Sequence, residues 1–342
     1  MKKLLLGFLV IATMASCVKE QTVVTPDQKA ISFGNFVQHT KAAIDPSFNN
    51  DDNKVTSFYV WGFMDKNTGV VFSEELVEWD ETKAAWTYTN LAYWAPDKSY
   101  KFAAIAPAKN DKIQVTLADN NKYMSAEGVL GTVAFENENG TVDLLYAEDG
   151  VDTPTTIPTD PEKVHFTFQH LLSKVKFTFT NGLSENEHTT MAITDVKMVV
   201  PAKGTVDLAV KKPFVWNVSE NETTTLEFGK AVDKADDTNT QLAFNGVAEV
   251  ENERLTIPLA TTTSVISSYE VSFNVTIYQG TEEAVTIPMT STIVGSTLVA
   301  GKCYNFTATL NAEKLGLKQI DFEVDVEEWD HNHAEHDIEF LN

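Results

Sequence analysis

The segment Tyr269-Glu270-Val271-Ser272-Phe273-Asn274-Val275-Thr276-Ile277 places an apolar side chain at every second position. Successive side chains of a β-strand point to opposite faces, so a period of two indicates a strand with one face towards a core. β-Branched and aromatic residues favour the same conformation. We therefore predict a strand here, in an antiparallel sheet that has one buried face and one polar face.

The same period recurs along the chain after Ile31. Clusters of Asn, Asp, Gly and Pro separate the apolar segments, as turns separate strands. Helical spacing is scarce. The pattern predicts an all-β protein built from antiparallel β-sandwiches. The clearest further strands are predicted at Phe58–Phe63, Tyr100–Ile105, Val164–Phe168 and Cys303–Leu310.

One stretch, Leu171 to Phe179, departs from this period. The apolar positions are even before it, at Phe166 and Phe168, and odd within it, at Phe177 and Phe179. A short helix would explain the change, and so would a β-bulge, which inserts one extra residue into a strand. We favour a bulge near Ser173.

The clearest boundary lies at Glu148 to Lys163, where acidic residues, Gly150 and three prolines crowd together. Proline lacks the N–H group that a central strand needs, so this segment is predicted to connect two β domains. We place the first sandwich at residues 30–155 and the second at 160–342. Each is close to the usual length of a domain.

The N-terminus has the pattern of a bacterial lipoprotein signal. Lys2 and Lys3 precede an apolar run from Leu4 to Ala12, which is too short for a membrane span, and Met14-Ala15-Ser16 leads to Cys17. Removal of residues 1–16 would leave Cys17 to carry acyl chains such as palmitate, with residues 17–29 as a tether to the membrane surface. An ordinary secretory peptide with an incidental cysteine is the alternative.

Composition excludes several classes of function. The net charge is −23, with no dense run of Lys or Arg, so nucleic acid is not a predicted partner. The chain has two cysteines, and lipid on Cys17 would leave Cys303 without an intramolecular disulfide partner. Stability must then come from buried apolar surface.

No catalytic or cofactor-binding motif is present. The sequence lacks a Gly-x-Ser-x-Gly elbow, a phosphate-binding glycine loop and a His-Glu-x-x-His pair. His170 falls on the apolar phase of its strand, which favours a hydrogen-bonded core histidine. His331, His333 and His336 are ligand types for zinc, but a terminal segment does not preorganise them, so we predict no metal site, no cofactor and no enzyme activity.

The order of several short motifs resembles the fimbrillin-like pilus subunits of Bacteroidales. The resemblance covers nearly the whole chain after the signal. The motifs are Ile31-Ser32-Phe33, Thr40-Lys41-Ala42, Phe58-Tyr59-Val60-Trp61-Gly62, Trp86-Thr87-Tyr88, Tyr93-Trp94-Ala95-Pro96, Phe102 to Pro107, Asp143-Leu144-Leu145-Tyr146-Ala147, Phe166 to Val175, Ala300-Gly301-Lys302-Cys303-Tyr304, Ile320 to Val324 and Glu328-Trp329.

The resemblance implies two transthyretin-like antiparallel β-sandwich domains in tandem, exported to the outer membrane and assembled with other subunits into a fimbria. It also implies that a protease removes the first strand and that a strand from another subunit fills the vacated groove. An alternating donor strand would pair the exposed backbone and cover the apolar groove. The displaced strand would contain Ile31, Phe33 and Val37, and the cut would fall near Lys41.

Lys41 departs from the family pattern, which has arginine at this position. The single arginine of the chain is Arg254, far from the predicted cut. Either the protease accepts lysine, or the subunit is never trimmed and lies at an end of the fibre, as tip or anchor. A solvated loop lysine without a role is the third alternative.

Two C-terminal segments are candidate donor strands. Ile320, Phe322, Val324 and Val326 alternate strictly, although a native edge strand explains them better. The final residues, with Ile338 and Phe340 on one face, are the better donor candidate.

A monomeric surface lipoprotein that binds glycan or host protein through sandwich loops is the competing hypothesis. Exposed aromatic side chains would favour it, since they suit sugars and protein interfaces. Trp79, Trp86 and Trp94 are the candidates, although their alternation with polar residues is more typical of a core.

Overall fold

The computed structural model describes residues 29–34, 55–65, 69–118, 129–151, 163–183, 189–210, 214–218, 222–236, 238–258, 268–294, 298–317 and 320–329. Strands dominate these residues, as the alternation predicts. The elements are β1 Ser57–Met64, β2 Gly69–Asp80, β3 Ala85–Thr87, β4 Tyr100–Ala106, β5 Ile113–Leu117, β6 Gly131–Glu136, β7 Leu145–Val151, β8 Gln169–His170, β9 Ser173–Asn181, β10 Thr189–Pro201, β11 Lys203–Asp207, β12 Trp216–Val218, β13 Thr223–Gly229, β14 Ala231–Asp233, β15 Val247–Val250, β16 Arg254–Thr256, β17 Ser268–Gln279, β18 Glu282–Val294, β19 Lys302–Leu310, α1 Ala312–Leu317 and β20 Glu323–Glu328.

The strands form four sheets. Sheet I has the order β3-β2-β1-β4-β7-β8, and sheet II has the order β12-β11-β6-β5. Sheet III has the order β14-β15-β9-β19-β20, with β16 also paired to β9, and sheet IV has the order β13-β10-β17-β18. Among the described strands, the paired neighbours are antiparallel except β9 and β19, which are parallel. The predicted all-β fold class is confirmed, and its transthyretin-like detail stays a prediction.

Sheet I is buried on both faces. In β4, Phe102 and Ala104 face a first core, whereas Ala103 and Ile105 face a second cluster between sheets I and II. We call this cluster the central core. A strand covered on both sides reads as a nearly continuous apolar run, which explains the sequence Phe-Ala-Ala-Ile-Ala. The sandwich around sheet I therefore has three layers.

A third core lies between sheets III and IV. Phe177 of β9 and Phe306 of β19 pack there with their ring centroids 5.6 Å apart, and Phe273 of β17 faces them from the opposite sheet. The alternation Tyr269, Val271, Phe273 that predicted β17 points into this core, where each of the three side chains is at most 2% exposed.

Sheet II joins the two halves of the chain. β6 pairs with β11, although these strands lie on opposite sides of the predicted boundary. After β6, the backbone N–H of Leu255 donates to the carbonyl of Gly140 at 2.8 Å, which adds a second link. The boundary residues 152–162 lie outside the described residues. The division at 155–160 into two independent sandwiches stays a prediction.

The irregular stretch after Phe168 is neither a helix nor a bulge at Ser173. β9 begins at Ser173 and pairs with β16 in continuous register, and the chain bends just before it, at Leu171 and Leu172. Phe166 and Phe168 point into the first core, Leu171 and Leu172 into the central core, and the odd positions of β9 into the third. The apolar positions change from even to odd because the side chains before and after the bend enter different cores.

Cleavage within residues 152–162 tests how far the two halves depend on each other. We place a specific protease site there and expect the two fragments to stay together in gel filtration and to unfold in urea in one transition. The reason is that β6 and β11 share a sheet and that the central core takes side chains from both halves. The uncut variant is the control, and two folded fragments that elute separately would support independent sandwiches.

Candidate functional site

The described N-terminal residues 29–34, here called the ribbon, lie between two extended segments. On one side the ribbon runs antiparallel to residues 92–94, where the N–H of Ile31 donates to the carbonyl of Ala92 at 2.8 Å and the N–H of Trp94 donates to the carbonyl of Lys29 at 3.0 Å. On the other side it runs parallel to the chain at Val164, which donates to the carbonyl of Ser32 at 2.8 Å and accepts from the N–H of Gly34 at 3.0 Å. Both edges of the ribbon are thus hydrogen-bonded.

Phe33 is the main side-chain anchor of the ribbon. It is 4% exposed, and its ring lies within contact distance of four aromatic rings of the first core. The ring centroids are 5.6 Å away at Phe58, 5.7 Å at Tyr88, 5.9 Å at Phe72 and 5.9 Å at Phe166. Edge-to-face and offset pairs of this kind add to the free energy of burial.

Ile31 is the second anchor, and Tyr88 fixes its backbone. Ile31 is 1% exposed, and the Tyr88 hydroxyl donates to its carbonyl at 2.6 Å. Burial disfavours the phenolate and raises the pKa of Tyr88 to about 12. The predicted inward orientation of Ile31 and Phe33 is confirmed.

Gly34 lies against the ring of His165. A Cβ atom on Gly34 would be 2.3 Å from Cε1 of His165, so a larger residue fits only if that ring turns away. His165 is exposed, which gives the ring room to do so.

The segments beside the ribbon have anchors of their own. Trp94 packs on Tyr100 with ring centroids 4.7 Å apart, and the N–H of Ala95 donates to the Tyr100 hydroxyl at 2.7 Å. On the other side, the rings of Phe166 and Phe168 lie 5.7 Å and 5.8 Å from that of Phe58. These two segments form the walls of a slot that holds the ribbon. Each wall therefore makes contacts that do not involve the ribbon.

Most of the other predicted site residues lie outside the described residues. These are Cys17, Val37, Lys41, Ile338, Phe340 and the histidines His331, His333 and His336. The three tryptophans fall inside. Trp94 is buried in the first core, and Trp79 and Trp86 are half-buried with their rings 5.4 Å apart.

His170 is a hydrogen-bonded core histidine, as predicted. Its Nδ1 lies 2.9 Å from Oδ1 of Asp143. Trp329 stacks on the imidazole ring with centroids 3.6 Å apart, and Lys174 lies 5.2 Å from the centroid of the indole. This contact fixes the end of β20 against the central core, and the last residues of the chain follow it.

The described part of the chain offers no metal centre and no membrane-spanning helix. Among these residues, no three His, Cys, Asp or Glu side chains are grouped to hold a metal ion. None of the described helical segments is long and apolar enough to cross a bilayer.

Comparison with known proteins places the fold in context. A family model described as fimbrillin-like matches residues 40–329. The chain belongs to the fimbrillin-like family. This is a family of structural proteins of fimbriae, not of enzymes, and its members are exported, cell-surface proteins that assemble with other pilus subunits. A search of curated proteins finds no match.

Two solved structures extend the comparison. A fimbrial protein from Bacteroides vulgatus has a TM-score of 0.58 and 15% identity over 88% of this fimbrillin-like chain and 99% of its own. A candidate cell adhesion protein from Bacteroides uniformis has a TM-score of 0.49 and 16% identity over 90% of this chain and 99% of its own. The first of these supports the overall fold.

Sequence reasoning found the anchors of the slot but missed its walls. Alternation identified Ile31, Phe33 and Phe166 as inward-facing. It carried no signal that Val164 pairs with the ribbon, since the two are far apart in the chain. Tyr88 could have been found as the next aromatic after Trp86 at a spacing of two, but its hydroxyl contact with the ribbon could not.

Replacement of Phe33 by alanine tests the ribbon as a structural element. Phe33→Ala removes contacts with four rings and is expected to lower the free energy of unfolding by about 3–5 kcal/mol, as large core truncations do. Urea unfolding monitored by tryptophan fluorescence measures it. Ser32→Ala, at the half-buried position between the two anchors, is the matched control and should change the midpoint little.

Tyr88→Phe tests the pH dependence of the same site. The pKa of Tyr88 is raised in the folded state, so its contribution to stability is complete below about pH 10 and is lost as the pH rises towards about 12. The difference in phenolate absorbance between the two proteins should therefore titrate near pH 12. A difference that titrates near pH 10 would show that Tyr88 is not buried against Ile31.

Proposed function

We propose that the protein is a subunit or accessory component of a cell-surface pilus, assembled by donor-strand exchange and serving adhesion. In this proposal it reaches the outer membrane as a lipoprotein held by acyl chains on Cys17. Family membership supports the pilus, and the ribbon supports the mode of assembly.

The ribbon depends on its covalent connection to the rest of the chain. Burial of Ile31 and Phe33 contributes about 1.5–3 kcal/mol each, and each backbone hydrogen bond contributes about 0.5–1.5 kcal/mol net. Ordering six residues costs about 1–2 kcal/mol per residue, which offsets most of this gain and leaves the attached ribbon a net contribution of a few kcal/mol once the rings it covers are counted. A ribbon cut from the chain would also have to overcome the entropy of association, at least about 4 kcal/mol, and would leave.

Loss of the ribbon would leave a slot suited to another strand. The carbonyl of Ala92, the N–H of Trp94 and both backbone groups of Val164 would lose their hydrogen bonds to the ribbon. The rings around Phe33 would become exposed at the same time. Because the walls have contacts of their own, a donor strand would enter a largely preformed site.

The last residues of a second copy match the ribbon. Ile338-Glu339-Phe340 repeats the Ile-x-Phe pattern of Ile31-Ser32-Phe33, with the aliphatic and aromatic anchors two residues apart. Leu341 would stand at the position of Gly34, where the exposed His165 ring must turn aside. The 13 residues after Trp329 can extend over about 40 Å, enough to reach a neighbouring subunit.

The earlier C-terminal candidate is already used within the fold. β20, which contains Val324 and Val326, pairs with β19 as the edge strand of sheet III. The expectation of a native edge strand is confirmed. This pairing favours the residues after Trp329 as donor.

The position of Arg254 supports Lys41 as the place of cleavage. Arg254 lies in β16, paired with Val175 of β9, and its guanidinium donates to the carbonyl of Glu253 at 3.0 Å. A protease would have to unfold sheet III to cut there. Lys41 lies in the connection between the ribbon and β1, where a cut separates the ribbon from the body.

Limited trypsin treatment tests this assembly. Cleavage in the connection before β1 should release the ribbon and give SDS-resistant multimers on a gel of unboiled samples. The connection holds two lysines, Lys41 and Lys54. Lys54→Gln should leave the ladder intact, whereas Lys41→Gln combined with Lys54→Gln should abolish both the cut and the ladder. Cleaved protein that stays monomeric would contradict strand exchange.

The donor is tested separately from the cut. Ile338→Asp combined with Phe340→Asp should leave cleavage unchanged and abolish the ladder, because two carboxylates cannot enter the aromatic site. A peptide of residues 337–342 in large molar excess, which offsets the entropy of association, should slow laddering of the unaltered protein. The same peptide with both aspartates is the control, and equal inhibition by the two peptides would exclude these residues as donor.

A further inference from the structure

A cleft opens between sheet I and the edge of sheet II, on the face of sheet I opposite the ribbon. Its volume is about 320 Å³, at the lower end of the range of about 300–1,000 Å³ found for small-molecule sites. Tyr59 and Trp61 of β1 line one wall, and Ile113 and Val115 of the edge strand β5 line the other. Trp61 is 3% exposed, whereas Tyr59 is half-buried and offers part of its ring to the cleft.

A β-bulge brings a carboxylate to this cleft. Val60 pairs with Glu75 and Gly62 with Phe72, so Trp61 faces two residues of β2, Ser73 and Glu74, instead of one. Glu74, although it is not a glycine, has a left-handed backbone with a φ of 56°, and it lines the cleft beside Trp61. Bulges often redirect a side chain towards a functional site, and such backbone strain is concentrated at sites of this kind.

The opposite rim is a pinned polar loop. Lys109 has a φ of 58°, and its Nζ lies 2.6 Å from Oε1 of Glu78. The side-chain carbonyl of Asn110 accepts from the N–H of Lys112 at 2.9 Å, which leaves the amide NH₂ group as a donor. Asp111 adds a second carboxylate to the lining of the cleft.

These groups together select a class of ligand. An aromatic ring above an apolar floor suits the C–H face of a sugar ring, and carboxylates with an amide suit its hydroxyl groups. Glu78 already neutralises Lys109, so Glu74 and Asp111 make the rim negative and disfavour anions. A neutral polyol with one apolar face satisfies both conditions.

We propose that this cleft binds a neutral pyranose at the end of a surface glycan. The proposal deepens the adhesive part of the proposed function and rests on that part alone. The site is formed by β1, β2, β5 and the loop before β5, none of which contains the ribbon or the donor residues. Binding is therefore expected of the uncut monomer.

Saturation-transfer NMR on the purified full chain tests the site. The probes are the methyl glycosides of glucose, galactose, mannose and N-acetylglucosamine, with N-acetylneuraminic acid as the anionic comparison. We expect at least one neutral glycoside to bind and the anion not to bind. Tyr59→Ala and Glu74→Gln should each weaken binding about tenfold, a change of about 1.4 kcal/mol.

Gln114→Ala is the matched control, because Gln114 lies between Ile113 and Val115 but points to the outer face of sheet II. It should leave binding unchanged, and a urea midpoint close to that of the unaltered protein shows that each variant is folded.

The proposal is wrong if no neutral glycoside binds, if the anion binds better, or if folded Tyr59→Ala and Glu74→Gln bind as the unaltered protein does. Self-association that these two variants abolish would assign the cleft to a second copy instead. The NMR measurement needs no cleavage. A failure to bind saccharide would therefore not contradict strand exchange, and a failure of laddering would not contradict saccharide binding.

Discussion

The fold depends on sheet I having apolar side chains on both faces. Phe102 and Ala104 point to one side of β4, and Ala103 and Ile105 point to the other. Both faces of this sheet must therefore pack against other parts of the chain. Sheet II covers one face with four regularly paired strands. The other face is covered in part by short extended segments, and the ribbon lies between two of them. The cover of the first core is thus assembled from separate pieces, and the backbone hydrogen bonds of the ribbon go to residues 92–94 and Val164, not to the strands of sheet I.

Sequence patterning predicted which side chains face a core but not which segments are neighbours. A period of two identifies the inward face of a strand and is silent about its partner. Ile31 and Phe33 were therefore predicted to be buried, and they are. Val164 to Phe168 was assigned to the second half of the chain on the basis of the proline-rich segment before it, yet its aromatic side chains lie in the first core. The bulge at Glu74 had no sequence signal either, since no glycine or proline marks it.

The stretch from Phe166 to Phe179 shows how much information a break in the pattern can carry. A change of phase within one strand indicates a bulge, because a single core demands a single phase. Here the side chains enter three cores in succession, and the bend at Leu171 and Leu172 lets the chain pass from one to the next. Only the residues that each side chain packs against distinguish a bulge from a change of core, and these packing partners are a property of the tertiary structure.

The Ile-x-Phe pattern occurs at a second closed site, which raises the question of what makes the ribbon slot selective. Ile320-Asp321-Phe322 covers part of the third core, where the ring of Phe322 lies 5.6 Å from Phe177 and 6.4 Å from Phe273. Side-chain pattern alone therefore does not distinguish the two sites. The two sites differ in how each segment is connected to the rest of the chain. Residues 320–322 lead directly into β20, which is paired to β19 and fixed at its end by Trp329. The ribbon, in contrast, is joined to β1 only through the connection that holds Lys41. In the proposed assembly, a cut in that connection would therefore vacate the ribbon slot but not the third core, and a free Ile-x-Phe strand would find one slot with backbone partners on both edges.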